Sequence, residues 1–213
     1  LPQPTLNVNS LRTIILILAF SSLPAWPVEK YGYRVVDRMP QSREHFIQGL
    51  EIADGQLYIS TGLYGRSRLL RYSLEDGRES GRYVLDQRLF AEGLTVLDDS
   101  IYQLTWRSKI MLVYQRADLK PRVRFRLPGE GWGLTNNGKM LIYSDGSNRL
   151  HFMQPQNGII MRSIGVTEEG RPLTRLNELE WIDGKVWANI WMSNRIVMID
   201  PANGEVTGSI DLS

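Results

Sequence analysis

Glu92, in the stretch Phe90-Ala91-Glu92-Gly93-Leu94-Thr95, is the side chain of this sequence best placed to move a proton. It stands at a repeated position where the other copies carry Gln48, Trp132 and Asn177, so one acid faces two amides and an aromatic. Partial burial raises a carboxyl pKa toward neutrality, and such a group can both take and return a proton. Amides such as Gln48 and Asn177 can donate to a carbonyl oxygen as it gains charge. Trp106, Trp132 and Trp191 can wall an apolar pocket for a small side chain. These residue types also have plainer uses: a lone Glu is commonly solvated or ion-paired, and Trp in a β-repeat is commonly core.

Laid against itself, the chain repeats. Gln48-Gly49-Leu50-Glu51, Glu92-Gly93-Leu94-Thr95, Trp132-Gly133-Leu134-Thr135 and Asn177-Glu178-Leu179-Glu180 align, with offsets of 44, 40 and 45 between their second residues. That period suits a propeller blade, one four-stranded sheet per copy. An apolar strand follows each phrase, containing Leu57-Tyr58-Ile59-Ser60, Ile101-Tyr102-Gln103-Leu104, Leu141-Ile142-Tyr143-Ser144 or Val186-Trp187-Ala188-Asn189. Each copy then reaches Gly62, Trp106, Gly146 or Trp191, and a third strand opens on or just after a basic residue, Arg68, Lys109, Arg149 or Arg195. Asp54-Gly55, Asp76-Gly77, Asn137-Gly138, Asn157-Gly158, Asp183-Gly184 and Asn203-Gly204 read as tight hairpin turns. No apolar period of 3.6 persists after residue 30. The expectation is an all-β chain of about four blades.

In a propeller the innermost strand of each blade faces the central channel, and loops from all blades converge at its mouth. Gln48, Glu92, Trp132 and Asn177 should therefore form a ring. Leu50, Leu94, Leu134 and Leu179 beside them are identical, whereas the ring residues differ, and divergence at equivalent positions argues for separate roles. Glu178 and Glu180 alternate on one strand and could hold a cation in the channel, although a salt bridge is the simpler expectation.

Composition excludes several classes. With 42% hydrophobic and 23% charged residues, the chain is globular rather than disordered. A net charge of +2, spread through the repeats, gives no basic stripe for nucleic acid. The absence of cysteine removes disulfides, thiolate catalysis and Cys-ligated zinc. His45 and His151 are far apart in register, and His151 reads as a packed or edge side chain, so neither a metal-ligand spacing nor His-based catalysis is expected.

Residues 11 to 23 put one Arg before an apolar run of about ten residues, with Leu23-Pro24-Ala25 after it. This reads as a secretory signal cleaved near Trp26, with an uncleaved anchor as the alternative. The run is short for a bilayer span, which needs about 20 residues. Residues 1–25 are thus set apart from a propeller domain over 26–213, and the protein is expected to be exported, periplasmic or secreted. Tyr31 to Met39 alternates like a strand outside the four repeats. Such a strand can join the last blade and hide its edge, but the chain stops at Ser213 as a further blade should begin, so it is expected to be part of a larger propeller.

Eight motifs carry a specific resemblance, in order from about residue 33 to 212. They are Phe46-Ile47-Gln48-Gly49-Leu50, Ser60-Thr61-Gly62-Leu63-Tyr64-Gly65, Phe90-Ala91-Glu92-Gly93-Leu94-Thr95, Tyr102-Gln103-Leu104-Thr105-Trp106, Gly131-Trp132-Gly133-Leu134-Thr135, Ser144-Asp145-Gly146-Ser147, Leu176-Asn177-Glu178-Leu179-Glu180 and Ala188-Asn189-Ile190-Trp191. Together they resemble the glutaminyl cyclases of the plant and bacterial type. The resemblance implies a five-bladed propeller that cyclises N-terminal glutamine of peptides to pyroglutamate with loss of ammonia. It implies Glu92 as the acid-base residue, with Phe46, Gln48, Phe90, Trp106, Trp132, Asn177 and Trp191 lining the substrate pocket. No cofactor is implied, and a structural cation in the channel is left open; the implied partner is a peptide or protein with N-terminal Gln, the chain acting as a monomer. Ala91 stands where the family usually has Gly, and a fifth blade with an active-site Lys is absent from this sequence. Two rivals remain: a non-catalytic propeller binding a peptide or glycan at the channel mouth, and a metal-dependent lactonase with a carboxylate and amide cage.

Overall fold

Apolar strands punctuated by Asp-Gly and Asn-Gly turns fold residues 28–213, those that the computed structural model describes, into four antiparallel sheets arranged as propeller blades. The expected leader over residues 1–25 and the start near Trp26 lie outside the described residues. A short strand β1 (Glu29–Tyr31) precedes the first blade, which comprises β2 (Ile47–Ala53), β3 (Gln56–Thr61), β4 (Arg68–Ser73) and β5 (Glu79–Val84). The second comprises β6 (Ala91–Leu97), β7 (Ser100–Thr105), β8 (Ile110–Gln115) and β9 (Pro121–Arg126). The third comprises β10 (Leu134–Asn136), β11 (Leu141–Ser144), β12 (Arg149–Met153) and β13 (Ile160–Gly165). A small hairpin, β14 (Thr167–Glu168) and β15 (Arg171–Pro172), leads to the fourth, with β16 (Leu176–Ile182), β17 (Lys185–Ile190), β18 (Arg195–Ile199) and β19 (Val206–Asp211).

Within each blade the strands follow chain order, with β1 alone out of order beside β19, and two-residue turns join the first two strands of the first, second and fourth blades. Asp54-Gly55 and Asp183-Gly184 have positive φ at both residues, the twist that a right-handed hairpin requires. The other expected turns place Gly77, Gly138, Gly158 and Gly204 in the left-handed region. Strand character changes outward: β6 and β7 are buried along their whole length, whereas β9 and β13 are mostly exposed.

Three apolar layers sit between successive blades. Tyr58, Leu69, Leu94 and Tyr114 join the first to the second, Leu104, Met111, Leu134 and Tyr143 the second to the third, and Leu150, Phe152, Leu179 and Val197 the third to the fourth. Each such side chain, taken fully out of water, contributes about 1.5–3 kcal/mol. Leu94, Leu134 and Leu179 of the repeated phrase are 1% exposed, but their sister Leu50 is 42% exposed. The reason is position: Leu50 faces a groove of about 360 Å³ between the first and fourth blades, shared with Glu178 and Glu180.

The expected strand over Tyr31 to Met39 does not form. Residues 32–46 are without regular strand structure, and the strand is instead Glu29–Tyr31, paired in parallel with β19 on the outer edge of the fourth blade. Alternation alone misled, because Val35 and Val36 are both exposed and find no sheet to pack on.

Glycine in the repeated phrase has a specific cause. A Cβ on Gly49 would lie 2.7 Å from the backbone N of Leu94, one on Gly93 2.6 Å from the N of Leu134, and one on Gly133 1.9 Å from the O of Asn177. Each inner strand thus meets the next backbone to backbone, and the Gly93 N–H donates to the Trp132 carbonyl at 2.7 Å across two blades. The fourth copy has Glu178 in this place, and its side chain reaches back toward Gly93 and the N–H of Leu50. Gly133→Ala is therefore expected to destabilise the protein by about 3 kcal/mol through overpacking against backbone that cannot yield, read as a loss of roughly 5–10 °C in thermal unfolding. A melting temperature within 2 °C of the parent, on the order of 1 kcal/mol or less, would show that the strands are not held this closely.

Candidate active site

The inner strands are interrupted where the ring residues stand. The β2–β3 ladder slips between Ile47 and Gly49, the β6–β7 ladder between Ala91 and Leu94, and the β16–β17 ladder between Leu176 and Leu179. Gln48 is left without a partner, while Glu92-Gly93 stand opposite the single Leu104 and Asn177-Glu178 opposite the single Asn189. A bulge re-aims a side chain that regular pleating would send into the blade. In the third blade the same end is held by Ser144, whose Oγ accepts from the Gly133 N–H at 2.8 Å and donates to the Asn177 carbonyl at 2.8 Å.

The structure brings every sequence-predicted site residue into one cavity. Phe46, Gln48, Phe90, Glu92, Trp106, Trp132, Asn177 and Trp191 line a space of about 310 Å³ at the mouth of the channel. Its size suits a small ligand or one side chain of a larger one.

Glu92 is 6% exposed. Burial pushes its carboxyl up to about 8; the Gln48 amide opposes this by donating to Glu92 Oε2 at 2.8 Å, and the nearby Glu130 carboxylate adds to the rise. An acid that ordinarily ionises well below neutrality is thus poised to exchange a proton near pH 8. Gln48 is committed to Glu92, whereas no hydrogen bond engages the Asn177 side-chain amide among the described residues.

The walls are aromatic rings set edge to face. Phe90 meets Phe46 at 6.3 Å, Tyr64 at 5.5 Å and Trp106 at 5.6 Å, and Trp132 meets Trp191 at 5.6 Å. The alternation of Gly62, Trp106, Gly146 and Trp191 now has a reason. A Cβ on Gly62 would strike the Phe90 ring at 2.5 Å and one on Gly146 the Trp132 ring at 2.6 Å, so two copies make room for a ring and two supply one.

Sequence reasoning missed Tyr64 and Glu130. Glu130 Oε2 accepts from the indole N–H of Trp106 at 2.7 Å and of Trp132 at 3.1 Å. A signal existed: Phe46, Phe90, Glu130 and Arg175 each stand two residues before a ring residue, and they diverge as the ring does.

Glu178 and Glu180 do not form the expected salt bridge among the described residues. Burial raises both carboxyls, Glu178 strongly and Glu180 to about 7, with Glu51 adding to each. Among the described residues no cluster of three or more His, Asp or Glu side chains has the arrangement of a metal site. His151 is a packed strand residue, as its sequence context indicates: it stacks on Tyr143 at 4.7 Å and bridges Ser163 Oγ at 2.7 Å to Asp145 Oδ2 at 3.1 Å. Ser163 lies on β13, the outermost strand of its blade.

A family model described as glutamine cyclotransferase matches residues 11–213. The chain belongs to the glutamine cyclotransferase family. It is 37% identical over 181 residues to the glutaminyl-peptide cyclotransferase of Arabidopsis thaliana, covering 84% of this chain and 57% of that protein. The crystal structure of Myxococcus xanthus glutaminyl cyclase superposes with a TM-score of 0.80 at 33% identity, covering 87% of this chain and 78% of that one. Kuenenia stuttgartiensis hydrazine synthase, at 14% identity and a TM-score of 0.57 over 83% of this chain and 52% of that one, shares the fold alone.

The one departure from the cyclase motifs next to Glu92 is accommodated. Ala91 is fully buried, its φ is not positive, and its N–H donates to Ser67 Oγ at 3.0 Å, so the methyl replaces no required glycine.

The channel carboxyls make stability depend on pH. Glu180 ionises near 7 when folded, above its ordinary value of 4.5, so between those values the folded protein keeps a proton that the unfolded chain releases. Its contribution is complete below about pH 4.5 and is lost as pH rises toward 7. Glu180→Gln should flatten this fall in denaturant midpoints measured from pH 4.5 to 8; a slope unchanged from the parent would count against the shift.

Proposed function

We propose that this chain carries the chemistry of a glutaminyl-peptide cyclotransferase, an aminoacyltransferase by reaction type, which converts N-terminal glutamine of peptides and proteins to pyroglutamate and releases ammonia. The observation that carries this reading is a buried Glu92, poised near pH 8, inside an aromatic cavity large enough for one folded side chain. The Arabidopsis and Myxococcus relatives bear the corresponding names.

The substrate supplies its own nucleophile. Its α-amino nitrogen attacks the side-chain amide carbon, the ring C–N bond forms, and the original amide C–N bond breaks as ammonia departs. An α-amine has a pKa of about 8, matched to Glu92 at about 8. Glu92 takes a proton from the bound ammonium to leave a free amine, then returns it to the departing nitrogen. The attacking nitrogen sheds a second proton as the lactam N–H forms, and Glu92 relays this one to the departing group as well, so the positive charge that enters as substrate ammonium leaves as ammonium and the balance closes without a cofactor. The Asn177 amide donates to the oxyanion of the tetrahedral intermediate. Gln48, engaged on Glu92, fixes the carboxylate and favours its ionised form. Phe90, Trp106, Trp132 and Trp191 hold the glutamine side chain folded back toward its own amine, and that proximity is the largest part of the acceleration.

The reading extends to context. The apolar run over residues 11 to 23 supports export to the periplasm or beyond. We place the protein there as a monomer acting on Gln-initiated peptides and proteins.

Glu92→Gln should lower ammonia release from a Gln-initiated peptide by 10²–10⁴-fold; a variant keeping more than about a tenth of the parent rate would remove Glu92 from proton transfer. The productive complex holds one proton between Glu92 and the amine, so kcat/KM should be bell-shaped about pH 8. Below the optimum Glu92 is neutral before substrate arrives, and above it the amine arrives uncharged. A profile still rising beyond pH 10, about two units past the amine pKa, would contradict proton sharing.

A further inference from the structure

We infer that Glu130 is a positioning residue of this pocket, setting the walls from two blades with one carboxylate oxygen. The inference rests on the cavity being the cyclisation site. Trp106 follows β7 in the second blade and Trp132 precedes β10 in the third, yet both indole N–H groups donate to Glu130 Oε2, at 2.7 and 3.1 Å. An indole N–H can only donate and needs an acceptor where water is scarce, and a charged acceptor makes the strongest such bond.

What Glu130 sets is passed on. Trp106 packs edge to face on Phe90 and Trp132 on Trp191, so fixing two indoles orients four walls. From outside, the Arg107 guanidinium lies 4.0 Å from the Trp106 ring centre and 3.9 Å from Glu130 Oε1, closing the cluster at the rim. The residue type fits the place. Sister positions Phe46 and Phe90 put rings in the wall directly, whereas the third blade puts an acceptor there and lets the neighbouring indoles fill the space. Glu130 also faces Glu92 electrostatically, as Glu178 does from the fourth blade, so its charge supports the proton affinity that burial creates and Gln48 opposes.

The test is a double-mutant cycle on the full-length protein, combining Glu130→Ala or Glu130→Gln with Trp106→Phe, which keeps a ring but removes the N–H. Ammonia release from a Gln-initiated peptide should fall in kcat by about 10–100-fold in Glu130→Ala, the scale of a wall displaced by an ångström or less. Glu130→Gln, whose amide oxygen still accepts, should recover most of kcat while moving the acid limb of kcat/KM to lower pH, because the charge beside Glu92 is gone. Trp106→Phe should cost far less in the Glu130→Ala background than in the parent. A kcat within twofold of the parent in Glu130→Ala, or strictly multiplicative losses, would overturn the assignment.

A second measurement separates this inference from the activity beneath it. Tryptophan emission of the parent, Glu130→Ala and Glu130→Gln reads the indole environments without turnover. If the parent releases no ammonia, cyclisation falls; an emission spectrum that shifts in Glu130→Ala and is restored in Glu130→Gln still supports Glu130 as the anchor of the two indoles. An emission unchanged in Glu130→Ala overturns it.

Discussion

Backbone contact between neighbouring inner strands is the constraint from which the rest of the molecule follows. Gly49, Gly93 and Gly133 each leave no room for a methyl against the next strand, and one cross-blade hydrogen bond, Gly93 to Trp132, runs through this layer. Strands drawn so close cannot all stay pleated. Their ladders slip at Gln48, Glu92 and Asn177, and those side chains turn into the mouth of the channel. The glycine that permits the approach and the bulge that aims the functional residue are adjacent in sequence because they are two parts of one local geometry.

That geometry makes the environment of Glu92 as much as its position. Tight packing removes water, burial lifts the carboxyl toward the pKa of an amine, and the Gln48 bond stops the rise short of permanent protonation. Each influence is modest in reach, yet their balance decides whether the group can work in both directions. Glu178, more deeply enclosed and with one oxygen lacking a hydrogen-bond partner among the described residues, shows how far burial goes when little opposes it: its carboxyl is raised well above the ordinary value.

Much of this was legible in sequence. Offsets of 44, 40 and 45 revealed the blades, and the Asp-Gly and Asn-Gly pairs the turns. Divergence beside an invariant Leu found the ring, and the cyclase motifs extended it to the aromatic walls. What stayed hidden depends on three-dimensional proximity. The bulges leave no residue signature of their own. Glu130 reads as a surface acid until two indole N–H groups from different blades are seen to meet on it. Glu178 and Glu180 suggested an ion pair, but neither forms a salt bridge among the described residues, and burial raises both carboxyls instead. Residues 31–39 alternate like a strand, yet beyond Tyr31 they have no sheet to complete.

The distribution of carboxylates over sister positions carries the last step. At the ring position only the second copy has an acid, Glu92; one residue on, only the fourth has one, Glu178; two residues before, only the third has one, Glu130. Were all three at one register, their charges would converge and they could not all stay ionised in so small a space. Staggered over three blades, they occupy different depths: Glu130 at the rim, tied by indoles; Glu92 in the wall, tuned to about 8; Glu178 within the channel, pushed strongly up by burial. A repeat fold suits this arrangement because every blade offers the same three places, and substituting one place in one blade changes one depth of the site while the glycine contacts preserve the rest.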